Sequence, residues 1–240
     1  QASDGYFYGT TSRGCTTGYG TMFRIRFDGS GFELLRTFPV VTQATSGAPL
    51  INSDGALPLA GLTDGEDGRL YGVTNIGGSD GLGTVFAYAP VGGVFTVLHN
   101  FDGNKGGQPS GELLLGRDGK LYGTTSTGGT NDKGNATLYG TIFSIARDGT
   151  GFSSIHSFEG GDGSSPTGRM LQLDATTFVG ITQAGGRCSQ GTVYQLSLTG
   201  ATTKGVTNCG RKNNSGGGGV APALLLVLLV AGLARRATAR

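Results

Sequence analysis

The two histidines are the residues of this 240-residue chain best suited to proton transfer or metal binding. His99 and His156 lie in matching phrases, Leu-His-Asn-Phe and Ile-His-Ser-Phe, and Arg36 holds the same place in an earlier phrase, Leu-Arg-Thr-Phe. No nearby Asp, Glu or Cys supplies a third ligand at the spacing of a metal site. We therefore expect outward-facing polar positions on repeated strands, with a metal-binding or proton-transfer pair as the alternative.

Acidic residues form a second group with ligand chemistry. The densest cluster is Asp64-Gly-Glu-Asp67, with Asp54 ten residues upstream. Calcium-binding loops use Asp-rich turns that contain Gly, but the alternating ligand series of the helix–loop–helix calcium site does not occur here. Asp28, Asp102, Asp118, Asp148 and Asp162 also directly precede glycine. We expect these pairs to form turns, and Ca²⁺ at the acidic cluster is the one cofactor we keep open.

The sequence offers no nucleophile with recognisable partners, because a Gly-x-Ser-x-Gly elbow does not occur. Three cysteines are too few for a disulfide scaffold and lack metal-site spacing. Cys15 and Cys188 lie in matching loops of the first and last repeats, which would be neighbours in a closed ring. We therefore expect a Cys15–Cys188 disulfide in an oxidising compartment, and Cys188–Cys209 is the rival pairing.

The composition indicates strands and tight turns. Only 14% of the residues are charged, 48 are glycine and the net charge is +2. The apolar residues stand in short runs of aromatic and β-branched residues separated by Gly and Asp-Gly, which is typical of strands and turns. Many basic residues cluster near the C-terminus, and no basic patch with interleaved aromatics occurs in the rest of the chain, so we expect no nucleic-acid partner.

The chain repeats itself. Four phrases resemble Tyr-Gly-Thr-Thr, and each is followed by a phrase resembling Gly-Thr-Val-Phe. The first phrases begin at Tyr8, Tyr71, Tyr122 and Val179, and the second at Gly20, Gly83, Gly140 and Gly191. A Pro-led apolar segment precedes the last three copies, starting at Pro58, Pro109 and Pro166. The unit is about 51 residues long, and such a period indicates a repeat architecture.

Each unit contains four short apolar runs with turn signals between them. In the third unit the runs are 112–115, 121–125, 141–146 and 152–158. Four antiparallel strands in each repeat predict an all-β, β-propeller-like array over residues 4–209, with units beginning near 4, 58, 109 and 166. The first unit lacks its Pro-led strand. A β-solenoid is the alternative, and the Tyr and Phe anchors are expected to fill the space between sheets.

The C-terminal tail has a different composition. Residues 210–219 form a Gly-rich linker, 220–234 carry no charge, and 235–240 are basic. We expect 220–234 to be a transmembrane helix, somewhat short for the ~30 Å hydrocarbon core, with the basic end in the cytoplasm. The membrane is therefore a predicted partner.

This order of a glycine cluster, an apolar helix and terminal arginines resembles the bacterial GlyGly-CTERM sorting tails. The resemblance implies processing by a rhomboid-like protease near the glycines, and a related type, MYXO-CTERM, would use a cysteine such as Cys209. The predicted sorting residues are Gly216, Gly217, Gly218, Gly219, Arg235 and Arg236.

The repeat phrases, best developed in 70–86 and 121–143, resemble the GloVer tandem repeat of choice-of-anchor bacterial surface proteins. The resemblance covers roughly residues 4–209 and implies interchangeable anchoring tails, but no catalytic residues. We therefore expect a non-enzymatic protein of the cell envelope, surface-displayed or secreted, that binds a glycan or a protein. The alternative is a secreted propeller hydrolase or lyase that acts on polysaccharide through carboxylates from distant repeats.

Overall fold

The computed structural model describes residues 2, 4–43, 45–130, 134, 136, 138–199 and 204–206. All regular elements in this part are β-strands. In chain order they are β1 Tyr6–Thr11, β2 Thr21–Arg26, β3 Glu33–Thr37, β4 Thr63–Asp64, β5 Leu70–Thr74, β6 Thr84–Ala89, β7 Val94–Asn100, β8 Gly107–Pro109, β9 Leu114–Leu115, β10 Leu121–Thr127, β11 Thr141–Ile145, β12 Ser153–Ser157, β13 Ser164–Gln172, β14 Thr177–Ala184, β15 Thr192–Ser197 and β16 Lys204–Val206.

The strands form four antiparallel sheets that follow the sequence repeat. Sheet 1 has the order β1-β2-β3, sheet 2 β4-β5-β6-β7, and sheet 4 β13-β14-β15-β16. In sheet 3, β12-β11-β10 continues to β8, and β9 also pairs with β10. The prediction of repeated four-stranded units, with a first unit that lacks its Pro-led strand, is confirmed. The Pro-led strand of the third unit differs in detail, because it pairs as two short pieces, β8 and β9.

Asp-Gly pairs close the turns between strands, as predicted. Asp28 Oδ1 accepts the backbone N–H of Ser30 at 2.9 Å, and Asp148 Oδ1 accepts that of Thr150 at 2.9 Å. The glycine that follows each aspartate has positive φ, for example +81° at Gly29. An aspartate side chain that holds the backbone two residues ahead stabilises such a turn, so these carboxylates have a structural role.

Paired threonines connect two neighbouring strands in every sheet, which are β1–β2, β5–β6, β10–β11 and β14–β15. Their hydroxyl oxygens lie 2.8–2.9 Å apart. The pairs are Thr11–Thr21, Thr74–Thr84, Thr125–Thr141 and Thr182–Thr192. Because the pairs recur in matching register, cross-strand hydroxyl contacts stabilise the repeated sheet.

The core lies between successive sheets. Met22 and Phe38 of sheet 1 pack against Phe86 of sheet 2, where the Phe38 and Phe86 rings are 5.8 Å apart. Sheets 2 and 3 share a cluster that includes Phe101 and Phe143, with ring centroids 5.2 Å apart. Sheets 3 and 4 share another cluster around Tyr122, Phe158, Phe178 and Tyr194. The predicted packing of the aromatic anchors between face-to-face sheets is confirmed.

The outer faces of the two end sheets carry apolar side chains that are partly exposed. Phe7 and Leu34 of sheet 1 are 37% and 45% exposed, and Ile181 of sheet 4 is 48% exposed. Among the described residues, no core cluster joins sheet 1 to sheet 4. The four sheets therefore stack in chain order, each on the next.

The predicted linker 210–219, helix 220–234 and basic end 235–240 lie outside the described residues, as does Cys209. Within the described part, no helix has the length and apolar character needed to cross a membrane.

Candidate functional site

His99 packs between two sheets. Its ring stacks on Phe152 of sheet 3 at 3.5 Å between centroids and meets Phe101 edge-on at 5.0 Å. Burial lowers the pKa of His99 below its ordinary value; nearby Asp102 opposes this effect and Lys105 adds to it. The expectation that His99 faces outward is wrong. The alternation of side chains along β7 describes the faces of one sheet, and it does not reveal that the next sheet covers this part of the strand.

His156 has a different environment from its repeat counterpart. Its Nε2 atom lies 2.7 Å from Asp162 Oδ2, and its ring meets Phe158 edge-on at 4.9 Å. Arg36, at the matching position of sheet 1, forms an ion pair with Asp54 and lies 3.9 Å above the Phe95 ring. The shared repeat position is thus a packing position, at which His156 and Arg36 each have a local acidic partner, and it does not gather the two histidines into one site.

The acidic cluster is engaged by its own neighbours. Asp67 Oδ2 accepts the hydroxyl of Tyr71 and a guanidinium N–H of Arg69, each at 2.7 Å. Burial acts to raise the pKa of Asp67, but these hydrogen bonds outweigh it and leave the pKa below its ordinary value. Asp64 Oδ1 accepts the backbone N–H of Glu66 at 2.8 Å. Within the described ranges, no three His, Cys, Asp or Glu side chains form a metal-binding group.

The predicted Cys15–Cys188 disulfide is wrong. Cys15 is a free, exposed cysteine, whereas Cys188 is disulfide-bonded. The prediction rested on the first and last sheets being neighbours in a closed ring, and no cluster of the described residues joins those sheets. The rival partner, Cys209, lies outside the described residues.

The candidate site is a cleft of about 370 Å³ that runs along the first strands of sheets 2, 3 and 4. We call it the inner cleft. Its charged lining residues are Asp64, Glu66, Glu112 and Arg169, and Tyr8 and Thr63 also contribute to the wall.

Repeat geometry builds the charged wall of the inner cleft. Glu112 and Arg169 in this wall each lie three residues after the Pro that leads their unit, and Gly61 holds the same position in the second unit. Arg169 Nη1 lies 3.1 Å from Glu112 Oε1. A methyl group added at Gly61 would lie 3.1 Å from Glu112 Oε2, so the glycine leaves room for this carboxylate. Stacked sheets thus bring side chains about one repeat apart in the chain to adjacent places.

The inner cleft has an excess of negative charge. Three carboxylates face one guanidinium, and that guanidinium already pairs with Glu112. Carboxylates gathered in a cleft attract cations and hydrogen-bond donors. The sequence indicated Asp64 as part of an acidic cluster but did not indicate Glu112 or Arg169 as site residues. The position that these two residues share, three residues after a leading proline, is the signal that would have found them.

The fold and the cleft define a propeller-like repeat protein. The family model of the Gloeobacter/Verrucomicrobia repeat matches residues 1–139 and 58–227. Since these matches cover most of the sequence, the chain belongs to the Gloeobacter/Verrucomicrobia repeat family, and the resemblance to the GloVer repeat is confirmed.

Solved structures with a similar fold come from several kinds of protein. TolB from Acinetobacter baumannii aligns with a TM-score of 0.52 and 14% identity, over 86% of this chain and 42% of TolB. A chain of the nidogen/laminin complex aligns with a TM-score of 0.52 and 13% identity, over 85% of this chain and 62% of that chain. A puromycin-hydrolyzing peptidase from Mycobacterium tuberculosis aligns with a TM-score of 0.51 and 12% identity, over 85% of this chain and 27% of the peptidase.

The chain spans less than two thirds of each of these three structures. At such identities the likeness concerns the fold alone. No curated protein matches the sequence.

Proposed function

We propose that this repeat domain is a non-enzymatic binding module of the cell envelope, and that its inner cleft takes a cationic group of a polymer or protein ligand. The observation that supports the proposal is the excess of carboxylates, Asp64, Glu66 and Glu112, over the one guanidinium of Arg169. Thr63 and Tyr8 give the wall further polar and aromatic contacts.

The alternative, a polysaccharide hydrolase or lyase, receives less support from the cleft. An enzyme of this kind needs an acid and a base that converge on the substrate. His99 and His156 do not line the inner cleft, and Glu112 is already held in an ion pair. A binding role uses the same carboxylates without requiring either group to transfer a proton.

The binding proposal is tested with two oppositely charged probes. Fluorescently labelled oligo-lysine and oligo-glutamate peptides are titrated into the purified protein at low and at physiological salt. We expect oligo-lysine to bind, oligo-glutamate not to bind, and affinity to fall with added salt. The double variant Asp64→Asn/Glu66→Gln should weaken binding several-fold.

The matched control is Glu159→Gln, which removes one carboxylate from an exposed position outside the cleft lining. This variant should bind oligo-lysine as the unmodified protein does. Equal loss in both variants would indicate a general charge effect and would argue against the inner cleft as the site.

We also propose that the tail, with Gly216–Gly219 and Arg235–Arg236, sorts the protein to the cell envelope. The order of glycine cluster, apolar run and basic end supports this proposal. Fractionation of the natural host followed by mass spectrometry of the C-terminus tests it. A mature end near the glycines supports sorting with cleavage, an intact Arg240 in the membrane fraction supports a plain anchor, and an intact chain in the soluble fraction contradicts both.

A further inference from the structure

Successive sheets are joined by a backbone contact that recurs three times. In each case the residue before the leading proline donates its N–H to the carbonyl of the residue before a Gly-Thr phrase in the preceding sheet. The donor–acceptor pairs are Leu57–Tyr19 at 2.9 Å, Gln108–Leu82 at 2.7 Å and Ser165–Tyr139 at 2.9 Å. We call this contact, with the proline that follows it, the proline lock.

The proline itself packs on the glycine of that Gly-Thr phrase. A methyl group added at Gly83 would lie 2.9 Å from Pro109 Cδ, and one at Gly140 would lie 2.8 Å from Pro166 Cδ. The corresponding distance from Gly20 to Pro58 is 2.7 Å. Only a residue without a side chain leaves room for the ring, so the glycine is part of the lock.

The lock also imposes a rare backbone conformation. The donor residues Leu57, Gln108 and Ser165 have φ of +53°, +54° and +51°. Positive φ is costly for residues with a side chain. Its recurrence before three prolines shows that the sheet-to-sheet contact outweighs this cost, and that the lock is a defined recognition geometry.

Sheet 4 presents the receiving half of a fourth lock. Gly191 has φ of +86°, and its N–H donates to Gly185 O at 3.1 Å, as the N–H of Gly83 donates to Gly77 O at 2.9 Å. The residue whose carbonyl would accept the lock hydrogen bond is Gln190, which is exposed.

The adjoining face of sheet 4 is apolar and exposed. Ile181 is 48% exposed, whereas Val73, its counterpart in sheet 2, is 2% exposed beneath sheet 3. Val179 and Val193 are partly exposed at positions where Tyr71 and Val85 of sheet 2 are fully buried. This face has the character of a surface that packs against another segment.

One segment of the chain has the sequence that the receiving half requires. Four of the seven prolines have glycine three residues earlier: the three lock prolines Pro58, Pro109 and Pro166, and Pro222. Pro222 is the first proline after Gly191 and follows it by 31 residues, between the 26 of Gly83–Pro109 and the 38 of Gly20–Pro58. The chain therefore has the length to reach.

The apolar pattern after Pro222 also matches the pattern that follows the three lock prolines. The residue four places after each lock proline packs in the cluster shared with the preceding sheet, and these residues are Leu62, Leu113 and Met170. Leu226 holds this place after Pro222. On sheet 4 it would cover the face formed by Val179, Ile181 and Val193.

We propose that residues 219–228 dock on sheet 4 through a fourth proline lock, with Pro222 on Gly191 and Leu226 on the apolar face. Docking and insertion into a membrane use the same residues. The docked position would therefore withhold the tail from the membrane and from a sorting protease. The proposal is independent of ligand binding in the inner cleft.

Photocrosslinking of the full chain tests the docking. p-Benzoylphenylalanine replaces Ala223, and the protein is irradiated in lipid-free buffer and with phosphatidylethanolamine/phosphatidylglycerol vesicles. In buffer we expect crosslinks to the peptide that contains 178–193. Pro222→Ala should reduce these crosslinks several-fold, because the lock requires the proline. The substitution lies outside the described sheets and should leave them unchanged. The control Pro90→Ala, which removes a proline without the Gly-x-x-Pro pattern, should not reduce them.

Each outcome separates docking from sorting. Crosslinks in buffer that scatter over all four sheets, or that persist in Pro222→Ala, overturn the lock. Crosslinks to lipid with vesicles, without any to 178–193 in buffer, also overturn it and leave sorting through the membrane standing. Crosslinks to 178–193 in both preparations support docking and count against membrane insertion.

Discussion

The hydroxyl of Tyr122 donates a 2.8 Å hydrogen bond to Asp118, four residues earlier in the chain. The same aspartate accepts the backbone N–H of Lys120 at 3.2 Å, so one carboxylate closes a turn and anchors an aromatic ring in the core. Burial and this hydrogen bond both raise the pKa of Tyr122. Tyr71 makes the equivalent bond to Asp67 in sheet 2.

Tyr122→Phe should therefore destabilise the protein. The substitution leaves the ring in place but removes the hydroxyl that donates to the Asp118 carboxylate, and the loss of a hydrogen bond to a charged acceptor costs about 1–2 kcal/mol. Urea denaturation followed by circular dichroism measures the change. Tyr139→Phe is the matched control, because Tyr139 is 43% exposed and should tolerate the change. An unchanged midpoint for Tyr122→Phe would show that the hydrogen bond contributes nothing net.

Tyr194→Phe should have the opposite effect. Tyr194 is 1% exposed, and its hydroxyl has no hydrogen-bond partner among the described residues. An unpaired buried hydroxyl is unfavourable, so its removal should stabilise the fold by about 1 kcal/mol. The other repeats already have phenylalanine here, at Phe23, Phe86 and Phe143. A lower urea midpoint for this variant would point to a partner that the hydroxyl finds in solution.

The sequence predicted those parts of the fold that are encoded within one repeat. The Asp-Gly turns and the four runs of each unit follow from local chemistry, and the structure places them as expected. Contacts between repeats were harder to predict from the sequence. Alternation along β7 put His99 on the outside, but Phe152 of the next sheet covers it.

The inner cleft was missed for a related reason. Glu112 and Arg169 stand 57 residues apart in the sequence, and only the stacking of sheets 3 and 4 brings them within 3.1 Å. The wrong disulfide prediction has the same origin, because it assumed an arrangement of the first and last sheets that the repeat alone does not specify.

Gly83→Ala should be strongly destabilising. An added methyl group would lie 2.2 Å from Thr74 O and 2.9 Å from Pro109 Cδ, at a φ of +92°. Backbone strain and overpacking together should cost about 3 kcal/mol or more. Gly92→Ala separates the two effects, because its φ is +88° and its nearest neighbour would be 3.7 Å away. That control should lose only about 1–2 kcal/mol; equal losses would show that the close contacts at Gly83 add nothing to the cost of the backbone strain.

Cys15 should be the thiol that reacts first in the unreduced protein. It is free and exposed, whereas Cys188 is in a disulfide. Maleimide labelling without reductant, followed by peptide mapping, should therefore modify Cys15 and leave Cys188 unmodified until a reductant is added. The variant Cys15→Ser should keep the urea midpoint of the unmodified protein, since no bond is lost. Labelling of Cys188 before reduction would contradict this assignment.

His99 should make the fold sensitive to mild acid. Burial lowers its pKa in the folded state below the ordinary value of 6.5, so the unfolded chain binds a proton more readily. This contribution to stability is present above pH 6.5 and is lost as the pH falls from 6.5 toward the lowered pKa. Urea midpoints measured from pH 8 to pH 5 should fall less steeply in His99→Phe, whose ring can keep the stacking on Phe152. In the control Cys15→Ser, His99 is intact and the full slope should remain; identical slopes in all three proteins would show that His99 titrates alike in the folded and unfolded states.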